Sequence, residues 1–308
     1  MWVCQYNDKI KILVQKLTRF NSIKLPQLHR FYMTIISRGI EIVRNDGVLA
    51  FLRAILRFVY WNLGIRRTYL VIQHKINGKS TKVIVENTSV TLSTTTYSEF
   101  ERFYELKGER EILSDIISET SDEDVFYDIG ANVGLYSCLI GSAVSNHQIY
   151  SFEPHPVNAE ALESNLKLNN INGTVFQLAI SNEEGTFELS SEGTEAGLGE
   201  HSLDTSSSES TVSVSVRRLD NLRKEYNIPV PTIVKIDVEG AELDVIRGAA
   251  DTFSDPHCET LYCEVHPDRM EKFGGSQAEL KSQLVNFGFD VETIDQKLGS
   301  RIILKATK

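Results

Sequence analysis

Short apolar runs alternate with segments of helical periodicity through the second half of the chain, and this alternation constrains the fold most strongly. The apolar run at residues 125–129 precedes a helical stretch at residues 135–144, and the same order recurs further along. Alternating strands and helices predict an α/β fold with a parallel sheet and crossover helices. Only residues 295–300 separate the last two runs, at 289–294 and 301–306, which is too short for a crossover helix. These two runs are therefore predicted to form an antiparallel pair at the end of the sheet.

The charges of the chain are divided unevenly between its two ends. Residues 1–82 contain 15 Lys and Arg against 3 acids, a net charge of +12, whereas residues 83–308 contain 17 against 39, a net charge of −22. The division indicates two parts with different partners, a basic helical extension at residues 1–67 and a domain at residues 68–308. No nucleic acid is expected as a partner of the acidic domain, because phosphate contacts require clustered Lys and Arg.

The basic extension contains an apolar helical stretch at residues 48–63, with Arg53 and Arg57 one turn apart. Two arginines make a spanning helix unfavourable, since each costs about 2.5–3.5 kcal/mol at the bilayer centre. One hypothesis is peripheral contact with an anionic membrane face through residues 48–67, and the alternative is docking on the acidic domain or on a partner subunit.

The lack of an apolar leader and of a Cys-x-x-Cys pair among the 4 cysteines favours a cytoplasmic protein. The oligomeric state stays open.

The domain is predicted to begin with strands and a helix. Residues 69–76 and 82–86 alternate around Asn77-Gly78, which is a favourable hairpin turn. Residues 99–117 then have the apolar spacing of a helix.

A glycine-containing turn follows the first strand of the alternating region. The turn contains Gly130, Asn132 and Gly134 and lies at a helix N-terminus, where a ligand can approach the backbone. Glu153 ends the next strand, at the sequence separation typical of a ribose-binding acid. These features fit either a nicotinamide or a sulfonium cofactor. Asn132 replaces the glycine that normally admits a pyrophosphate, while Asp128 suits the amino group of a methionine moiety. The turn therefore favours S-adenosylmethionine.

Together, these segments resemble the FkbM-type family of S-adenosylmethionine-dependent methyltransferases over about residues 82–305. The resemblance is carried by the segments FYDIGANVG at 126–134, FEPHP at 152–156, VKIDVEGAE at 234–242, YCEVHP at 262–267 and GF at 288–289. It implies the Rossmann-like class I methyltransferase fold, a seven-stranded and mostly parallel sheet whose last strand is antiparallel. It also implies methyl transfer to an oxygen of a sugar or another small acceptor.

The cofactor is expected to contact the ends of the first three strands. Tyr136 is a candidate for the methionine end, although it is equally explained as a first-turn helix residue; Pro154 is expected to wall the ribose or adenine, and backbone groups at Ala179 to reach the adenine edge. The predicted cofactor-binding residues are Asp128, Gly130, Ala131, Asn132, Gly134, Tyr136, Glu153, Pro154 and Ala179.

The predicted catalytic cluster follows the fourth and fifth parallel strands. Alternation along one strand is expected to place Lys235, Asp237 and Glu239 on one face, and Glu264 and His266 repeat the pattern on the next. Asp237 is the candidate for orienting the acceptor, Glu239 for the general base, and Lys235 for holding the acceptor. His266 beside carboxylates can take a proton near neutral pH. A lysine–carboxylate pair that only stabilises the strand end is the alternative.

The same acids and His266 also suit a divalent metal, but spacing alone does not establish that they converge, and no metal is predicted.

The predicted function is methyl transfer from S-adenosylmethionine to a hydroxyl or carboxylate oxygen of a sugar or glycan, which would be lipid-linked if the extension contacts membrane. The alternatives are a nicotinamide-dependent oxidoreductase and a non-catalytic, cofactor-binding assembly subunit.

Overall fold

The structure is a computed structural model, and it describes residues 65–94, 96–106, 108–146, 148–191, 201–202, 210–297 and 301–308. The basic extension up to residue 64, and with it most of the predicted membrane-contact segment 48–67, lies outside the described residues. The chain divides into two units, and the unit Val71–Lys308 is described here by itself. No helix in the described part of the chain combines the length and the apolarity that a bilayer span requires.

The lead-in to the sheet differs from the predicted hairpin. Its elements are α1 (Ile65–Asn77), β1 (Ser80–Val85), β2 (Thr88–Ser93), α2 (Tyr97–Glu105) and α3 (Arg110–Glu119). The prediction that residues 69–76 form a strand is wrong, because they belong to α1, and Gly78 adopts φ +71° immediately after this helix. A left-handed glycine ends a helix as readily as it turns a hairpin, so the dipeptide alone was ambiguous. The hairpin lies one element later, between β1 and β2.

Most of the remaining elements alternate between strand and helix as the apolar runs predicted. The remaining elements are β3 (Phe126–Ile129), α4 (Leu135–Ala143), β4 (Ile149–Phe152), α5 (Pro156–Leu168), β5 (Thr174–Phe176), β6 (Ala179–Ile180), β7 (Gly185–Ser191), β8 (His201–Ser202), β9 (Ser210–Arg217), α6 (Leu219–Tyr226), β10 (Ile233–Ile236), α7 (Glu242–Gly248), α8 (Ala250–Ser254), β11 (Thr260–Val265), α9 (Pro267–Met270), a 3₁₀ turn (Glu271–Phe273), α10 (Gln277–Asn286), β12 (Asp290–Lys297) and β13 (Arg301–Thr307). The exception is β5 to β9, which follow one another without a helix.

Seven strands form one sheet in the order β12-β13-β11-β10-β3-β4-β5. The five strands β11, β10, β3, β4 and β5 are parallel to one another, whereas β13 is antiparallel to both β11 and β12. This confirms the predicted class I arrangement with an antiparallel last strand. A second sheet has the order β6-β9-β7-β8, so β6 leads out of the main sheet into a separate layer.

The central strands are buried on both faces, which explains their continuous apolar character. All four positions of β3 and of β10 are buried, and β10 pairs with β3 on one side and β11 on the other. Parallel neighbours end at the same edge of a sheet, so the chain segments that follow these three strands meet there. This edge carries the candidate site.

Candidate active site

A cavity of about 390 Å³ opens at the carboxyl ends of the parallel strands. Eight of the predicted site residues line it: Gly130, Asn132, Glu153, Pro154, Ala179, Asp237, Glu239 and Glu264. The other six are not among its lining residues: Asp128, Ala131, Gly134, Tyr136, Lys235 and His266. The predicted site residues therefore include many that line this cavity, and their functional roles stay predictions.

The glycine turn is shaped by a close approach of two chain segments. Gly130 has φ +80°, and a Cβ there would lie 1.8 Å from the backbone oxygen of Asp237. Its N–H donates to the carbonyl of Phe152 (2.9 Å), and Asn132 adopts φ 52° in the same turn. Only glycine permits this backbone to pack against the segment after β10. The glycine expected to admit a ligand thus also fixes Asp237 beside the turn.

Glu153 links the end of β4 to the glycine turn. Its carboxylate accepts hydrogen bonds from the backbone N–H of Asn132 (2.8 Å) and of His155 (2.9 Å). The side chain is almost fully buried, and burial raises the pKa of Glu153 to about 7 in spite of these bonds. A carboxylate has about four acceptor positions, so Glu153 keeps acceptor capacity for a hydroxyl group in the cavity.

Asp128 lies behind the cavity and does not reach it. It is fully buried, and one carboxylate oxygen accepts from the Ser137 hydroxyl (2.6 Å) and N–H (3.0 Å). Its other oxygen lies 3.9 Å from Nζ of Lys235. Burial raises the pKa of Asp128, and the lysine only partly offsets this. The side chain supports Lys235 and the start of α4, and the direct contact with a methionine amino group proposed from the sequence stays a prediction without support from this geometry.

Lys235 holds Asp237 at the edge of the cavity. Its Nζ lies 3.2 Å from the Asp237 carboxylate and 4.5 Å from the centre of the Tyr136 ring. Burial by itself would raise the pKa of Asp237, but Lys235, His266 and Arg102 outweigh it and hold that pKa below its ordinary value. Asp237 is therefore ionised at neutral pH, while Lys235 and Tyr136 stand behind it.

The chain turns sharply between Asp237 and the next helix. Strand β10 ends at Ile236, Glu239 has φ 55° and Gly240 has φ 112°. The prediction that Lys235, Asp237 and Glu239 share one strand face is therefore wrong, since Glu239 lies in a left-handed turn beyond the strand. The turn still brings the Glu239 carboxylate to the cavity. Non-glycine residues in this conformation are uncommon and concentrate at functional sites.

His266 contacts three acidic side chains around this turn. Its Nδ1 lies 2.8 Å from the buried Glu242, and its Nε2 lies 3.2 Å from Glu239 and 3.7 Å from Glu264. Burial would lower the pKa of His266, but Glu242, Glu239 and Asp237 raise it to about 9. The imidazole is thus protonated at neutral pH, and it stabilises its neighbours instead of accepting a proton as the sequence suggested.

Like Glu153, Glu239 and Glu264 are cavity-lining carboxyls whose pKa lies near neutral pH. Burial raises the pKa of each to about 7, against the opposing charges of their cationic partners. Arg269 is hydrogen-bonded to Glu239, and Arg301 lies 3.2 Å from Glu264. A carboxyl with this pKa exists in both protonation states at pH 7, which is the property required of a general base.

Asp237, Glu239 and His266 also form a group that is compact enough to hold a metal. Their potential ligand atoms lie within 4.8 Å of one another. However, both nitrogens of His266 are engaged by carboxylates, Asp237 is paired with Lys235, and Arg269 is bound to Glu239. These cations occupy the positions from which a metal would neutralise the acids, so the geometry supports the prediction of no metal, which stays a prediction.

Sequence reasoning missed two charged residues of the cavity, both from the lead-in. Arg102 on α2 donates to Glu109, the residue before α3, at 3.2 Å, and both side chains line the cavity. Neither residue follows a predicted strand, so the search for polar residues at strand ends had no reason to select them. The capping box of Thr96 and Glu99 marks the start of α2 and was the one sequence signal available in this region.

Comparison with known proteins gives a family match for this region. The model of the FkbM methyltransferase domain family matches residues 128–298, more than half of the chain. Hexuronic acid methyltransferase AglP of Haloferax volcanii is 26% identical over 196 residues, which cover 63% of this chain and 78% of that protein. 31-O-demethyl-FK506 methyltransferase FkbM of Streptomyces tacrolimicus is 27% identical over 196 residues, covering 54% and 73%. The crystal structure of methyltransferase FkbM from Methylobacillus flagellatus KT superimposes with a TM-score of 0.44 at 14% identity, over 68% of this chain and 53% of that one.

Proposed function

The chain belongs to the FkbM methyltransferase family, and from this premise we propose that it transfers a methyl group from S-adenosylmethionine to a hydroxyl oxygen of a sugar-like acceptor. Family membership favours methyl transfer over the nicotinamide-dependent and non-catalytic alternatives. The observation that carries the proposal is the cavity beside the glycine turn, with Asp237, Glu239 and Glu264 at its edge.

The residues of the cavity fit the donor. A volume of about 390 Å³ lies in the range of small-molecule sites, which is about 300–1,000 Å³. Phe152 and Leu178 provide an apolar wall for a purine, and Glu153 keeps acceptor capacity for ribose hydroxyls. Glu109 has one buried carboxylate oxygen without a hydrogen-bond partner, which suits a cationic donor group. When bound, S-adenosylmethionine supplies an electrophilic methyl group on a sulfonium.

The residues after β10 and β11 would position the acceptor and remove its proton. Asp237, ionised and held by Lys235, accepts a hydrogen bond from an acceptor hydroxyl and orients it. Glu239 takes the proton of the attacking hydroxyl, which its pKa near 7 permits. The protonated His266 and Arg269 stabilise the charge on Glu239 before the transfer. Proximity and alignment supply the rest of the rate enhancement.

Charge in the cavity favours a neutral hydroxyl over a carboxylate as acceptor. Among the described residues that line the cavity, five are acidic and one, Arg102, is basic: Glu109, Glu153, Asp237, Glu239 and Glu264 are the acids. Arg102 is already paired with Glu109. A carboxylate acceptor would be repelled by the acids, whereas a hydroxyl can donate to them. A carboxylate would also need no base, which leaves the titrating Glu239 without a role.

The sugar-like nature of the acceptor is supported by the relatives. One of them is a hexuronic acid methyltransferase, and hexuronic acids carry both hydroxyl and carboxylate groups. The edge of the cavity, rich in carboxylates, suits a polyhydroxylated molecule because each hydroxyl can donate a hydrogen bond to an acid. Attack by an acceptor hydroxyl would yield a methyl ether, and attack by its carboxylate a methyl ester.

The test is incubation with methyl-labelled S-adenosylmethionine and a panel of hexoses and hexuronic acids, followed by mild alkaline hydrolysis of the product. A label that survives alkali is an ether and supports the proposal. A label released as methanol is an ester and contradicts the hydroxyl assignment. As a control, Asp237→Asn is expected to bind the donor but to lose transfer, whereas Glu271→Gln, on an exposed side chain outside the cavity, keeps both.

A further inference from the structure

The ion pair between Arg102 and Glu109 stands at the charged end of the cavity, outside the region that the family model matches. Nη2 of Arg102 lies 3.2 Å from one oxygen of Glu109, while the other oxygen of Glu109 is buried without a hydrogen-bond partner. An unsatisfied buried carboxylate oxygen is costly, and such a group in a cavity points to a donor supplied by a ligand.

The segment that carries Glu109 is anchored to the far side of the site. The guanidinium of Arg301 donates to the carbonyl of Gly108 (3.0 Å) and also lies 3.2 Å from Glu264. On the other side, Glu109 is the residue immediately before α3, whose apolar side chains are buried. The acid is therefore held by a fixed backbone and not by a freely moving surface loop.

The pair lies near the glycine turn and the first turn of α4. The carboxylate of Glu109 raises the pKa of Arg102 above its ordinary value, and Asp237 adds to this effect. Burial raises the pKa of Tyr136 most, and Glu109 contributes next. Tyr136 belongs to the first turn of α4, so Arg102 and Glu109 act at the end of the cavity where the glycine turn meets that helix.

We infer that Arg102 and Glu109 bind the amino-acid end of the donor, Arg102 its carboxylate and Glu109 its ammonium group. This inference rests on the proposed function. The donor consists of a purine, a ribose and an amino-acid end, in that order along the molecule. Phe152 and Leu178 line the cavity on the side of β4 and β5, and Glu153 follows β4. With the purine and ribose on that side, the amino-acid end lies toward β10. Arg102 is the one basic residue among the described lining residues, and it stands beside an acid with a free acceptor.

The experiment compares equilibrium binding of S-adenosylhomocysteine with that of 5′-methylthioadenosine, which keeps the purine, ribose and sulfur but lacks the amino-acid end. Isothermal titration is carried out on the full chain, wild type and Arg102→Gln/Glu109→Gln. The double variant is expected to bind S-adenosylhomocysteine about tenfold to a hundredfold more weakly, since charge-assisted bonds contribute that much. Its affinity for 5′-methylthioadenosine is expected to stay within about twofold.

Matched controls come from the next two residues of the chain. Arg110→Gln and Glu111→Gln remove the same charges from exposed side chains that do not line the cavity, and both ligands are expected to bind as to wild type. Arg102→Lys keeps the charge without the forked guanidinium, and an intermediate loss of S-adenosylhomocysteine affinity would support the inference.

Wild-type affinity of the double variant for both ligands would overturn the inference while leaving the proposed donor intact. An equal loss of both affinities would also overturn it, because the pair would then support the cavity as a whole. If wild type bound neither ligand, the proposed function itself would fail, and the inference with it.

Discussion

At the scale of single residues, the site depends on how burial and charge set the protonation of each carboxyl. Asp237, next to Lys235, is held ionised, whereas Glu239 and Glu264 titrate near pH 7 although they lie on the same edge. The sequence identified these acids as a group. It could not assign their separate states, because those depend on distances to His266, Arg269 and Arg301 that arise only on folding.

Replacing the proposed base should change the pH profile as well as the rate. Because Glu239 must be deprotonated to accept a proton, kcat/KM is expected to rise as the pH rises through about 7. His266 must stay protonated, so the rate should fall as the pH rises through about 9. Glu239→Gln is expected to lower kcat by about 10²–10⁴ and to flatten the limb near pH 7. If Glu239→Gln kept the wild-type kcat and the full rise of kcat/KM near pH 7, Glu239 would not be the general base, and Glu264 would take its place.

Removing Lys235 should destabilise the fold. Its Nζ stands between the buried Asp128 and Asp237, so Lys235→Met leaves two carboxylates without their cation. The free energy of unfolding is expected to fall by about 3–5 kcal/mol in urea denaturation at pH 7. The loss should be smaller at acid pH, where the acids bind protons. Lys224→Met is the control, because its pair with Asp251 is exposed and its stability should stay close to wild type. Equal effects of the two variants would contradict this account.

At the scale of elements, the turns after β3 and β10 matter more than the strands themselves. The apolar runs of both strands were read correctly from the sequence. The left-handed turn at Glu239 was not, since a glutamate gives no local signal for that conformation. Its φ is 55°, and it precedes Gly240, where a Cβ would come within 2.8 Å of Arg269.

Two glycines with similar backbone angles allow the role of the first turn to be measured. Gly130→Ala would place a methyl group 1.8 Å from the Asp237 backbone oxygen, so the free energy of unfolding is expected to fall by more than about 4 kcal/mol. Gly78→Ala changes a glycine at φ +71° with no atom within 4 Å of the added carbon, and it should cost only about 1–2 kcal/mol. Urea denaturation of the two variants checks this. Similar losses would mean that the backbone angle, and not the contact with Asp237, accounts for the loss of stability on replacing Gly130.

The same turns bring together the group that resembles a metal site. Since Lys235, His266 and Arg269 already neutralise the acids, methyl transfer is expected to proceed at the same rate after treatment with EDTA. Added Mg²⁺ or Mn²⁺ should have no effect on that rate. Activity that disappears with the chelator and returns with one of these ions would overturn the prediction and make Asp237, Glu239 and His266 its ligands.

At the scale of the whole molecule, the negative charge should favour the cationic donor over its product. The chain has a net charge of −10, and five of the six charged residues described in the lining of the cavity are acidic. S-adenosylmethionine carries one more positive charge than S-adenosylhomocysteine, so its affinity should fall more as ionic strength rises. Titrations of both ligands at low and at physiological salt measure the ratio. A ratio that does not change with salt would show that only short-range contacts distinguish them.

The sequence by itself determined the α/β class and the antiparallel last strand, and it predicted the edge of the sheet at which the cavity opens. These follow from periodicity and connection length, which are local properties of the chain. Only the tertiary structure decided that Asp128 supports the site from behind, that His266 is a protonated partner, and that Arg102 and Glu109 from the lead-in complete the cavity. The physical reason is that burial, pairing and pKa depend on side chains that are distant in sequence and meet only when the sheet assembles.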